Sequence, residues 1–67
     1  MKLQSFSREI TLYRKLRGLT IPELAHKARV PKSGLWKIET NPKANPTITT
    51  LRKISRALGI DVRALLH

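Results

Sequence analysis

Two helix signals near the middle of this chain stand only about three residues apart, and that spacing constrains what it can fold into. Thr20-Ile21-Pro22-Glu23 matches a capping box, in which the Thr20 hydroxyl accepts from the Glu23 amide while the Glu23 carboxylate reaches back to the Thr20 amide. Pro22 is harmless there, because first-turn amides have no helical partner. The helix so started carries Leu24, Ala25 and Ala28 inward and stops near Arg29. Pro31 suits the start of the next helix, which runs to about Glu39 and buries Leu35 and Ile38. Helices joined by so short a turn must cross closely, and Ala25 is the small residue that permits it.

Further segments supply the rest of a core. Phe6, Ile10 and Tyr13 fall at helical spacing between about Ser5 and Arg17, ended by Gly18. Residues 41–46 hold two prolines and two asparagines and read as a loop. Thr47 caps a helix carrying Ile48, Leu51, Ile54, Ala57 and Leu58 up to Gly59, and Asp61 caps a last short one with Val62, Leu65 and Leu66. No run alternates with period two, so no strand is expected. The expectation is an all-α, compact five-helix domain over residues 1–67, with a helix-turn-helix at about 21–39.

Charge and inventory narrow the chemistry. Fourteen Lys and Arg against four Asp and Glu leave +10, which predicts a polyanionic partner and leaves nucleic acid and an anionic membrane surface both open. Apolar runs are far shorter than the roughly 20 residues of a membrane span, and Met1–Ser7 has no signal-peptide core. Zero cysteines leave no disulfide or thiolate metal site, which fits a reducing, cytoplasmic setting. His26 and His67 have no partner at ligand spacing, so no metal and no cofactor are expected. Each acidic residue has a structural use: Glu9 in a first helical turn, Glu23 in the capping box, Glu39 opposite Arg14, and Asp61 as a cap. No carboxylate pair or Ser–His arrangement remains for catalysis, so an enzyme is not expected.

At 100° per residue, Lys32, Ser33, Trp36 and Lys37 fall within an arc of about 140° opposite the Leu35/Ile38 side. Lys32 and Lys37 can donate to guanine O6 or N7 or to phosphates, and Ser33 to base edges or phosphates. Trp36 can pack on a thymine methyl or sugar. Lys27, on the preceding helix, is a further candidate for the backbone. Leu12 and Leu16, one turn apart on the first helix, either widen its core stripe or form an exposed patch for a partner or second copy.

On Gly18-Leu19-Thr20, Glu23-Leu24-Ala25, Leu35-x-x-Ile38-Glu39, Asn45-Pro46-Thr47, Leu51-x-x-Ile54 and Ala57-Leu58-Gly59, the chain resembles the lambda-repressor/Cro-like (XRE-type) helix-turn-helix proteins. The resemblance implies a DNA-binding transcriptional regulator, usually a repressor, dimeric on palindromic operators and associated with the nucleoid in the cytoplasm. It implies base contacts from Lys32, Ser33 and Lys37, phosphate contacts from Lys43 and Asn45, and an ion pair between Arg14 and Glu39. Three positions depart from the family pattern. Ile21 stands where a glutamine often touches the DNA backbone, Arg29 where the turn often has glycine, and Pro31 where a serine or threonine often caps. The alternative is an antitoxin-type protein that binds a toxin or other protein as well, and a third reading is a cationic membrane-active or RNA-binding domain.

Overall fold

The computed structural model describes residues 6–41 and 43–65, so readings that touch Ser5, Pro42, Leu66 and His67 lie outside the described residues. The elements are α1 (Phe6–Leu16), α2 (Ile21–Ala28), α3 (Lys32–Thr40) and α4 (Ile48–Leu58), followed by a 3-10 turn, Val62–Ala64. Among the described residues there is no strand. The fifth helix expected from Asp61 onward is therefore corrected to that single turn. Its bonds are Ala64 N–H to the Asp61 carbonyl and Leu65 N–H to the Val62 carbonyl, both of the tighter i→i+3 kind. The Asp61 carboxylate accepts from the Arg63 amide at 2.8 Å, and one turn suffices to drop Leu65, fully buried, into the core.

Each helix starts and stops for a local reason. At α2 the Glu23 amide donates to Thr20 Oγ1 at 3.2 Å and the Thr20 amide donates to Glu23 Oε1 at 2.8 Å. Thr47 Oγ1 likewise accepts from the Thr50 amide at the start of α4. At α3 the N-cap is Pro31, which offers no side-chain bond. The C-termini of α1, α2 and α4 close alike, with a left-handed residue whose successor donates back to a carbonyl five residues earlier: Leu19 to Arg14, Val30 to Ala25, Ile60 to Ser55. Glycine holds that residue twice, as Gly18 (φ 69°) and Gly59 (φ 73°), and Arg29 holds it once, at φ 60°.

The core is one cluster in which Ile10, Leu24, Leu35, Ile54, Leu58 and Leu65 are almost fully enclosed. α2 packs against both α4 and α3, and α1 packs against α3 and more lightly against α4. Ala25 and Ala28 are buried where the helices approach one another. Burying each Leu or Ile here stabilises the fold by about 1.5–3 kcal/mol, so α3, too short to stand alone, is fixed by Leu35 and Ile38. Leu12 and Leu16 are 50% and 64% exposed, which leaves α1 with an apolar outer patch and not a wider core stripe.

Arg29 carries a Cβ into a conformation that costs a non-glycine residue roughly 1 kcal/mol. Arg29→Gly is accordingly expected to raise stability by about 0.5–1 kcal/mol, read as a rise of several degrees in Tm by thermal unfolding. An unchanged or lower Tm would show that the arginine is not strained there.

Candidate nucleic-acid interface

α3 turns Leu35 and Ile38 into the core, buries the Glu39 side chain at its end, and leaves one face outside. Lys32, Ser33, Trp36 and Lys37 are all exposed, and Trp36 as a residue is 58% exposed. Lys32, Ser33 and Trp36 form one wall of a largely apolar groove whose other wall is the start of α2, with Leu19, Ile21 and Pro22. Lys37 stands beside this groove without lining it. Such a face joins two cations and a hydroxyl to a flat amphipathic ring, which matches the donor, acceptor and methyl pattern of a major-groove edge.

The placement of α3 depends on a buried ion pair at its far end. Arg14 Nε donates to Glu39 Oε2 at 2.8 Å and to Oε1 at 3.0 Å. Thr11 Oγ1 donates to Glu39 Oε1 at 2.9 Å, and Arg14 Nη1 donates to the Leu19 carbonyl at 2.7 Å. The Glu39 side chain is 3% exposed and that of Arg14 13%. One guanidinium thus ties α1 to the end of α3 and to the segment entering α2. Arg17 Nε donates to the Leu58 carbonyl at 2.9 Å, joining α1 to the end of α4. In the capping box, the hydrogen bonds from the Thr20 backbone and side chain hold the Glu23 carboxyl below the usual carboxylate range.

The loop after α3 turns on Asn41, whose Oδ1 accepts from the Lys43 amide and whose carbonyl accepts from the Ala44 amide, both at 2.9 Å. Lys43 and Asn45 are exposed. Asn45 lines a second groove, between the Gly34 side of α3 and Thr47 and Thr50 of α4, whereas Lys43 lines neither groove. Lys27 lies apart from the α3 face, in a third groove between α2 and α4. Sequence reasoning passed over Arg29, Lys53 and Arg56, which line the second and third grooves. The signal available was Lys53 and Arg56 at i, i+3 on one helix that carries no acidic residue.

Among the described residues no group of His, Cys, Asp or Glu is placed to hold a metal ion, and no helix is long and apolar enough to cross a membrane. His26 is exposed on α2.

A helix-turn-helix family model matches residues 10–65. The chain belongs to the lambda-repressor/Cro-like (XRE-type) helix-turn-helix family. It is 47% identical over 58 residues to the HTH-type transcriptional regulator SinR of Bacillus licheniformis, covering 87% of this chain and 52% of that protein. A crystal structure of SinR, described as the master regulator for biofilm formation, in complex with DNA is similar at TM-score 0.87 and 44% identity, over 92% of this chain and 98% of that one. SinR in a complex with SinI protein is similar at TM-score 0.85 and 44% identity, over 91% and 59% of the two chains. The chain spans about half the length of the curated relatives it matches.

Glu39→Gln should cost about 3 kcal/mol of stability, because it leaves the Arg14 charge buried without its counter-ion. Urea unfolding would register this as a lower midpoint at unchanged slope. A loss below about 0.5 kcal/mol would show that the pair does not hold α3 in place.

Proposed function

We propose that residues 1–67 act as a single DNA-binding domain of a transcriptional regulator, a repressor in kind, which reads duplex DNA by laying the outer face of α3 in the major groove. The observation that carries this reading is that Lys32, Ser33, Trp36 and Lys37 are all exposed on a helix whose opposite side is locked into the core. Likeness to a SinR domain solved with DNA supports it. Lys32, Ser33 and Lys37 take the base-edge roles, and Trp36 packs against a thymine methyl or a sugar. Lys43, Asn45 and Lys27 take phosphates, fixing register without reading sequence. Ile21 cannot donate a side-chain hydrogen bond to the backbone, and Pro22 has no N–H while the Glu23 amide is taken by the Thr20 cap, so α2 contributes through the Ile21 amide or through Lys27. The protein binds and does no chemistry, and it works in the cytoplasm on the nucleoid.

One such module buries only about 600–1,000 Å² on DNA. Two copies presenting their α3 helices about 34 Å apart on a palindrome would reinforce it. A protein contact is a second reading, favoured by the exposure of Leu12 and Leu16 one turn apart on α1. That patch would take a second copy or a different protein, a toxin being one class of partner. SinR, solved with SinI, is a relative with a protein partner.

Selection from a random duplex pool, followed by fluorescence anisotropy on the enriched site, tests the reading. Lys32→Ala and Lys37→Ala should each weaken binding about 5- to 10-fold and narrow the gap between the enriched and a scrambled duplex, at two chains per palindrome. Equal binding by wild type and both variants would contradict the assigned face. A Leu12→Lys/Leu16→Lys variant that keeps two chains per duplex would remove α1 from the assembly.

A further inference from the structure

We propose that a basic trough along α4, separate from the face of α3, binds the phosphodiester backbone of the same duplex beyond the bases that α3 reads. The proposal rests on the DNA-binding reading and adds Arg29, Lys53 and Arg56 to it. Two adjoining grooves make the trough. The first runs between the Gly34 side of α3 and the start of α4, where Asn45, Thr47 and Thr50 line it together with Arg29 and Lys53. The second continues between the end of α2 and the middle of α4, lined by Lys27, Arg29, Lys53 and Arg56 with Ala28 and Ala57 between them. Arg29 and Lys53 belong to both, so the grooves adjoin along these two side chains. No acidic residue lines either one.

All four cations are exposed, and among the described residues none of their side chains forms an internal ion pair. Lys53 and Arg56 stand at i, i+3 on one helix face, where like charges work against the helix. Arg29 adds a third unneutralised charge from the strained position that glycine fills at the ends of α1 and α4. Gathered without counter-charge, these groups favour a polyanion laid along them. The start of α4 adds to this, since its first turn carries no acidic residue and its amides bear the positive end of the helix dipole. An extended anion suits the trough better than a compact one, because the cations are spread over two adjoining grooves, the first of them lined also by Asn45 and Gly34. Between α2 and α4 the apolar lining is Ala28 and Ala57, too small to enter a lipid layer.

Backbone contacts are read by salt. Each phosphate neutralised contributes about 0.9 to the slope of log affinity against log salt concentration. On the selected duplex, Lys53→Gln/Arg56→Gln should lower that slope by nearly two while leaving the preference for selected over scrambled duplex unchanged. Arg29→Gly should lower it by about one although the variant folds at least as well, so misfolding does not explain the loss. Lys15→Gln, on the exposed side of α1, should leave the slope as it is. Slopes equal to wild type in the trough variants, or an equal drop in Lys15→Gln, would overturn the proposal while leaving the α3 reading intact. So would phosphatidylglycerol vesicle binding that these variants abolish with the DNA slope unmoved. A wild-type chain that binds no duplex would overturn both readings together.

Discussion

The guanidinium of Arg14, carried on α1, meets the end of α3 and the segment before α2 at once, and the interface depends on that meeting. It neutralises the nearly inaccessible Glu39 at the end of α3 and donates to the Leu19 carbonyl just before α2. A nine-residue helix whose N-cap is proline has little stability of its own. Its orientation comes from outside it, through Leu35 and Ile38 against the core and Glu39 against Arg14 and Thr11. Those inward commitments leave Lys32, Ser33, Trp36 and Lys37 directed outward as a set.

Charge is distributed by the same logic. Glu23, Glu39 and Asp61 are each bonded within the chain, at a cap, a buried pair and a short turn. The excess positive charge therefore stays on the surface with little to offset it, on α3, in the loop after it and along α4, and also on α1 and at the end of α2. An apolar core and a strongly cationic outside coexist because the few carboxylates are taken up by bonds within the chain, Glu39 in the buried pair and Glu23 and Asp61 at exposed caps.

Local chemistry made much of this legible in the sequence. The capping box at Thr20, the cap at Thr47 and the left-handed closures at Gly18 and Gly59 are short-range features, and the helices begin and end where those residues place them. The outward set on α3 followed from helical geometry once Leu35 and Ile38 were assigned inward. The segment after Asp61 was less legible, since a cap and apolar residues at helical spacing do not distinguish one 3-10 turn from a helix. Leu12 and Leu16 were ambiguous because periodicity gives the side of a helix and not whether another element covers it. The trough of Arg29, Lys53 and Arg56 is assembled from α2 and α4, and no local pattern joins residues so far apart in the chain.

The central claim is that the outer face of α3 is where DNA sits. Amide chemical-shift mapping of the labelled chain with its selected duplex tests it most directly. The account predicts that the largest perturbations fall on Lys32, Ser33, Trp36 and Lys37, with the Trp36 indole N–H among them, while the amides of Leu12 and Leu16 barely move on the first equivalent of DNA. Perturbations centred on α1 with α3 unmoved would contradict it.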